Sequence, residues 1–333
     1  MNFDFDDTQY ALRDMARSLF AKESPPSRVR ELWEDKPFDR RVWKTMAEAG
    51  LCGLTVPEEF GGSEAGEVDL ALVYEEAGRA ALPEPLLETT GVAAPLIATA
   101  GTDDLRERWL PAIARGDAVV AVQAPGEQLV AWASVADLLI VERDGAPFAV
   151  ERAGFRATNV RSLDPARPFA RVDVDDAKAV ALEPQAWDRA FRRGAFGTAC
   201  ILNGVAAALL ERTVAYVKAR KQFGRPVGSF QAVKHKLASM HQAIETSRPA
   251  AWYAAYALAH DAPDAVEAVS VAKAAAAETE DYCNTEALQC HGGIGFTWED
   301  DLHFWLKRGM VLRGTWGTAR QHRRHLVDAV MEL

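Results

Sequence analysis

The alternation of apolar and polar residues divides the chain into a helical part, a β-rich part and a second helical part. Near the N-terminus, apolar residues recur at the spacing of one helix face: Leu12, Met15, Ala16, Leu19 and Phe20. This stripe predicts an amphipathic helix with Asp7 as its N-cap. A similar stripe begins at Leu70, and Thr102 precedes a further helical segment that ends at Gly116. The first part is therefore predicted to be helical.

From about Val119 to Pro184 the pattern changes to short runs rich in valine, isoleucine and phenylalanine. Such runs are typical of strands, and Arg143-Asp144-Gly145 between two of them predicts a hairpin turn. From Trp187 onward, long apolar-striped segments predict helices that pack as a bundle. We therefore predict a mainly α fold with a small central β domain, divided into residues 1–118, 119–184 and 185–333.

Composition narrows the class of protein. The 333 residues carry a formal net charge of -10, which disfavours a nucleic-acid partner because phosphate binding requires a basic face. The N-terminal segment lacks the basic and apolar regions of a signal peptide, and no uninterrupted apolar run reaches the roughly 18 residues of a membrane span. The four cysteines form no CxxC pair, which disfavours a disulfide framework or a zinc site. We expect a cytoplasmic protein without a bound metal.

The sequence lacks the common motifs for nucleotide binding, for serine hydrolases and for zinc enzymes. Two other motifs are more informative. The first surrounds the end of a long helix and the start of the next, with Arg220, Gln222, Phe223, Phe230 and Gln231. A positive charge, amides and aromatic rings at such a junction suit a cofactor that carries phosphate and a ring. An αα-hairpin whose polar residues satisfy the helix ends explains the same residues equally well.

The second motif begins near Gln289 and contains Gln289, Gly292, Gly293 and Gly295. Glycines permit close approach of the backbone to another surface. On physical grounds alone, the simpler interpretation is a helix-ending turn followed by an amphipathic helix. A third feature, the basic run QHRRHL at 321–326, is most simply a solvated or interface face of a helix.

Taken together, RKQFG…FQ and QCHGGIGFTWE resemble the C-terminal domain of acyl-CoA dehydrogenases, and LTVPEEFGG, LALVYEEAGRA and LPAIARGD resemble their first domain. The resemblance covers nearly the whole chain. It implies a helical domain, a β-barrel-like domain and a four-helix bundle that drives oligomerisation.

The resemblance also implies FAD as the cofactor, lying across a subunit interface. Arg220, Gln222, Phe223, Phe230 and Gln231 match positions that hold the FAD of one site. A neighbouring subunit contacts the adenosine diphosphate part of that FAD at positions that match Gln289, Gly292, Gly293 and Gly295. Thr318, which lies two residues after the position of the family's glutamate, is also assigned to cofactor binding.

Two departures from the family pattern affect the expected chemistry. The stretch VQAPG at 122–126 replaces a Thr-Glu-Pro-x-x-Gly-Ser-Asp-like stretch that contacts the flavin ring and the thioester, and the β segment is shortened. Trp316 occupies the place of the glutamate that removes the α-proton, or Arg313 if a short gap is allowed. The alternative position of that glutamate falls near Gly194, and the nearest acid, Asp188, has the wrong offset. We therefore assign no catalytic residue.

This combination resembles the short subunit of heteromeric acyl-CoA dehydrogenases, which pairs with a longer, glutamate-bearing subunit as α2β2. The expected reaction converts an acyl-CoA to a trans-2-enoyl-CoA, with an electron-transfer flavoprotein or a similar protein as acceptor. Two alternatives remain open: a self-sufficient homo-oligomeric dehydrogenase with an unconventional base, and a structural scaffold without flavin.

Overall fold

The computed structural model describes residues 4–34 and 38–331, which form two compact units. The first unit consists of the described part of Met1–Pro26 together with Ala71–Leu82 and Thr198–Leu333. The second consists of Ser27–Leu70 and Pro83–Gly197. The division of the chain into domains at residues 118 and 184 stays a prediction.

The first unit is helical. Its elements, including the parts of α4 and α7 that belong to it, are α1 (Asp7–Glu23), α4 (Glu67–Arg79), α7 (Ala186–Ala219), β8 (Lys221–Gln222), β9 (Arg225–Pro226), α8 (Gln231–Ala259), α9 (Ala265–His291), α10 (Leu302–Leu312) and α11 (Ala319–Met331). Many of the buried residues of α8 and α9 are alanines. Inside this bundle, Ser247 donates a buried 2.7 Å hydrogen bond to Asn203.

Two glycines allow α4 and α7 to touch through their backbones. A Cβ built on Gly204 of α7 would lie 1.9 Å from the carbonyl oxygen of Glu75, and one built on Gly78 of α4 would lie 2.0 Å from that of Ile201. Because real side chains do not approach backbone this closely, any larger residue at either position forces the two helices apart.

The second unit contains short helices and all seven strands of the central β region. The helices are α2 (Pro26–Glu34), α3 (Arg40–Glu48), α5 (Ala94–Ala100) and α6 (Asp103–Ala114), with a fully buried π-helix at Leu86–Ala93. The strands are β1 (Val120–Val122), β2 (Val130–Ala131), β3 (Leu138–Arg143), β4 (Ala146–Glu151), β5 (Phe155–Val160), β6 (Phe169–Val174) and β7 (Ala179–Ala181).

These strands form two small sheets, one in the order β1-β3-β4-β7 and one in the order β2-β6-β5. Strand β1 pairs with β3 in parallel, and the other pairs are antiparallel. A core of apolar side chains that includes Trp132, Leu139 and Val150 holds this region together. The mainly α fold with a small central β region is thereby confirmed.

Local signals explain several boundaries. Asp144 and Gly145 both have positive φ angles between β3 and β4, as a two-residue hairpin turn requires. The Thr102 side chain accepts a hydrogen bond from the Leu105 amide and begins α6. The expected cap of α1 was one residue too late, because Asp6 forms the capping box with Gln9 and Asp7 is already helical.

Among the described residues, α7 is the one helix long and apolar enough to cross a membrane. Its most apolar window is 83% buried inside the protein, which is also what the core helix of a soluble bundle shows.

Candidate cofactor site

A tight hairpin follows α7 and exposes the first motif. In β8 and β9, Gln222 pairs with Arg225, and the turn between them consists of Phe223 and Gly224. Both turn residues have positive φ, 54° and 76°. The Phe223 side chain is 91% exposed, so this hairpin presents an apolar ring to the outside of the unit.

Phe230, the residue before α8, packs against the hairpin. The Phe230 ring makes an edge contact with Phe223 at a centroid distance of 6.1 Å. The Arg225 guanidinium lies 4.1 Å from the Phe230 ring centroid. Phe230 is half-buried, so its ring fixes the hairpin while Phe223 remains outermost.

The polar side chains of the first motif are exposed and make no polar side-chain contacts within the described residues. Arg220, Gln222 and Gln231 are exposed, and none makes a side-chain hydrogen bond or ion pair within the residues that the structure describes. Helix-end capping by these side chains, the alternative that the sequence left open, is therefore not seen. Their donors are available to an external ligand.

The second motif lies at the end of α9 and leaves open space in front of its backbone. Gln289, Gly292 and Gly293 are exposed, and a Cβ at either glycine would meet nothing within 4 Å. Gly292 has φ 62°, which favours glycine. Gly295 differs, because it is buried and a Cβ there would lie 3.0 Å from atoms of His291 and Leu288.

Tyr216 brings the two motifs together within one chain. Its ring stacks on His291 at a centroid distance of 4.3 Å, and its hydroxyl donates a 3.3 Å hydrogen bond to the His291 carbonyl. The Arg220 amide bonds to the Tyr216 carbonyl at 2.8 Å, so the arginine begins one turn away. The hairpin and the glycine turn are therefore neighbours at one end of the bundle.

This end of the bundle fits the phosphate-bearing part of FAD. An arginine can bind pyrophosphate oxygens, amide side chains can bond to ring and ribose atoms, and uncovered glycines admit a ligand against the backbone. Thr318 has a structural role in this chain. Its hydroxyl accepts a hydrogen bond from the Gln321 amide, and its own amide donates to the Gln321 side chain, so that Thr318 caps the start of α11. Its predicted contact with FAD, like that of the other residues, stays a prediction.

The segment between α10 and α11, where the catalytic glutamate was sought, contains no carboxylate. Trp316 is 1% exposed with φ 57°, and its carbonyl accepts from His322 at 2.9 Å. Arg313 pairs with Glu280 at 3.1 Å and also with Asp281. Neither position can supply a proton acceptor, because one side chain is a buried indole and the other a paired guanidinium.

Two buried titratable residues on α9 hold this segment, and the sequence analysis missed both. Lys273 donates to the carbonyls of Arg313 and Gly317, and burial raises the pKa of Glu280 to about 7 although Asn284 and Arg313 lower it. Lys273 and Glu280 fall on the same apolar stripe of α9 as Ala276 and Ala287. That spacing was the signal that could have found them.

In the second unit, the stretch that departs from the family pattern bonds to itself. The Gln123 side chain donates to the Glu127 carbonyl at 2.7 Å and accepts from the Glu142 amide at 3.4 Å. Near the alternative base position, Gly194 is buried and Arg193 pairs with the buried Glu67 at 2.7 Å. Asp188, the acid considered from the sequence, is exposed.

Family models match most of the chain, and one of them covers both motifs. The model of the N-terminal domain of acyl-CoA dehydrogenases matches residues 6–117, and that of their C-terminal domain matches residues 185–331. The acyl-CoA dehydrogenase IpdE2 of Mycobacterium tuberculosis is 34% identical over 323 residues, which are 96% of each protein. IpdE2 of Mycolicibacterium smegmatis is 32% identical over 95% of this chain and 96% of the relative.

Solved structures agree with the fold. A variant of the Tcur3481-Tcur3483 steroid acyl-CoA dehydrogenase superposes with a TM-score of 0.91 at 29% identity, covering 98% of each chain. The ChsE4-ChsE5 complex from Mycobacterium tuberculosis contains a chain that superposes with a TM-score of 0.90 at 23% identity, with both chains covered completely. With two family models covering most of its length and a relative above 30% identity, the chain belongs to the acyl-CoA dehydrogenase family, FAD-dependent oxidoreductases that act on acyl-CoA thioesters.

Proposed function

We propose that this chain is the glutamate-lacking subunit of a heteromeric acyl-CoA dehydrogenase. It acts with a longer, glutamate-bearing partner in an α2β2 assembly that converts an acyl-CoA to a trans-2-enoyl-CoA. The observation that carries this proposal is the segment between α10 and α11, where buried Trp316 and ion-paired Arg313 occupy the two base positions that this segment offers. The partner then removes the α-proton.

The chain's own contribution is to hold the cofactor. Arg220 and the amide side chains of Gln222 and Gln231 bind the FAD of one site, and Gln289 contacts the adenosine diphosphate part of an FAD that lies across a subunit interface. Gly292 and Gly293 let the backbone approach the ligand, since nothing covers them. Bound FAD would supply the acceptor for the hydride that leaves the β-carbon of the thioester. The exposure of these residues supports a site completed by another subunit.

The substrate class we propose is a bulky CoA ester such as a steroid-derived acyl-CoA. Its support is the likeness to a protein described as a steroid acyl-CoA dehydrogenase and to IpdE2. We further propose a cytoplasmic enzyme that passes electrons to an electron-transfer flavoprotein or a similar acceptor.

The test is flavin content and dye-linked oxidation of a panel of acyl-CoA esters, for the chain alone and for the chain co-expressed with its partner. We expect little flavin and no turnover from the chain alone, and a yellow, active complex with fewer flavins than subunits. Stoichiometric FAD and robust turnover by the unmodified chain alone would overturn the proposal in favour of a self-sufficient enzyme.

The variant Trp316→Glu sharpens this test. A general base contributes typically 10²–10⁴-fold, but only when flavin and thioester are already held against it. We therefore expect Trp316→Glu to leave the isolated chain inactive. Turnover gained by that variant alone would mean that the chain holds both ligands without a partner.

A further inference from the structure

A cavity of about 470 Å³ lies within the first unit, on a different set of residues from the candidate cofactor site. It is bounded by the end of α1, the end of α4, the C-terminal part of α7 and one residue of α10. Its charged and aromatic lining consists of Arg17, Glu76, Arg79, Glu211, Arg212 and Trp305. Cavities of this volume are large enough for a small organic ligand.

Two of the three arginines are neutralised by carboxylates. Arg17 forms a two-point ion pair with the buried Glu76, with nitrogen–oxygen distances of 2.8 and 2.9 Å. Arg79 pairs with Glu211 and lies 3.6 Å from Glu76. The lining therefore has three positive and two negative side chains, and the excess charge is that of Arg212.

Arg212 is held in place by an aromatic ring and not by an acid. Its guanidinium carbon lies 3.5 Å from the centroid of the Trp305 ring. Trp305 is itself 2% exposed, and its indole N–H donates a 2.8 Å hydrogen bond to the Arg79 carbonyl, which fixes the ring. Within the described residues, Arg212 makes no side-chain hydrogen bond and no ion pair.

This placement is costly for a permanently charged group. Burial lowers the pKa of Arg212, although Asp301, Asp300 and Glu211 act in the opposite direction from longer range. Arginine remains protonated at neutral pH, so the guanidinium is partly desolvated while charged. Stacking on Trp305 leaves the in-plane N–H donors free, and those donors match the two oxygens of a carboxylate or phosphate.

We propose that this cavity binds a small oxyanion, a carboxylate or phosphate group, through Arg212 against Trp305. The ligand group supplies the negative charge that the cavity lining lacks. The paired arginines Arg17 and Arg79 shape the cavity and keep its remaining surface neutral.

The experiment is isothermal titration of the full chain with inorganic phosphate and, separately, with succinate, in a buffer free of both. The ratio of the two affinities distinguishes a phosphate site from a carboxylate site, and competition between the two anions shows whether they share one site. The variants are Arg212→Met, which keeps an unbranched apolar stem without the guanidinium charge, and Arg220→Met, which removes an arginine of the candidate cofactor site. The ¹⁵N–H signal of Trp305, assigned with Trp305→Phe, reports where the anion binds.

We expect a saturable site that Arg220→Met retains, with the Trp305 signal shifting on binding. Arg212→Met should weaken the affinity by at least about tenfold, as expected for charge-assisted hydrogen bonds. If Arg212→Met does not fold, Arg212→Lys takes its place, because lysine keeps the charge and loses the two-point geometry. Binding weaker than about 10 mM for both anions, or binding lost in Arg220→Met and kept without Arg212, would overturn the proposal.

Discussion

The ammonium of Lys273 donates a 2.8 Å hydrogen bond to the carbonyl oxygen of Gly317 and a 3.1 Å hydrogen bond to that of Arg313. Lys273 is completely buried, and the two carbonyls lie near either end of the segment between α10 and α11. One buried ammonium group therefore holds both ends of the segment in which the family's glutamate would lie.

Replacing this lysine should loosen the segment. Lys273→Met leaves two carbonyls without their donor, and a buried group without a partner costs about 1–3 kcal/mol. We expect the free energy of unfolding, measured by urea denaturation at fixed protein concentration, to fall by that order. Lys218→Met, at an exposed position of α7, is the matched control. Equal changes in the two variants would contradict the role of Lys273.

Glu280 should make stability depend on pH. Burial raises its pKa from 4.5 to about 7, in spite of Asn284 and of Arg313, which also pairs with Asp281. Because the folded state holds the proton more tightly than the unfolded state, this contribution is full below pH 4.5 and is lost as the pH rises toward 7.

The measurement is the free energy of unfolding from pH 5 to 8 for the wild type and for Glu280→Gln. Glutamine keeps the shape and cannot ionise, so the wild type should lose stability relative to the variant as the pH rises, by up to about 3 kcal/mol. Burial lowers the pKa of His322 to about 4, which destabilises both proteins toward acid pH and cancels in the comparison. Parallel pH profiles would show that Glu280 keeps an ordinary pKa.

The contact of α4 with α7 predicts an unusual response to alanine. In a helix, Gly→Ala normally stabilises by about 1 kcal/mol. Gly204→Ala should instead destabilise by about 1–3 kcal/mol or more, because the added carbon would lie 1.9 Å from the Glu75 carbonyl oxygen. Gly314→Ala, where the nearest atom is 3.8 Å away, is the control and should change stability little. A neutral or stabilising Gly204→Ala would mean that the helices are further apart.

Arg220 should matter for flavin retention and not for folding. It is exposed and makes no ion pair within the described residues, so Arg220→Ala should leave helical content and unfolding unchanged. If it holds a pyrophosphate oxygen, a charged hydrogen bond of about 1.5–3 kcal/mol is lost and flavin affinity falls at least about tenfold. Flavin content of the co-expressed complex is the measurement, with Lys218→Ala as control. Unchanged flavin content would leave the arginine outside the cofactor site.

Signals that act over a few residues were predictable from the sequence. Thr102 begins α6, Asp144-Gly145 turns one strand into the next, and the two C-terminal motifs indicated the family. These features depend on backbone angles and hydrogen bonds between near neighbours, which the order of residues determines directly.

Only the tertiary structure decided which distant residues share an environment. Tyr216 meets His291 across 75 positions and joins the two cofactor motifs, although each was visible separately. Lys273 and Glu280 lie on an apolar stripe of α9, yet their partners come from the segment after α10. In the sequence, nothing separates Arg212 from an ordinary surface charge. In the structure, Trp305 covers it and the nearby acids pair with other arginines. The energy of a charge depends on which groups surround it after folding, and that neighbourhood is not encoded by local spacing.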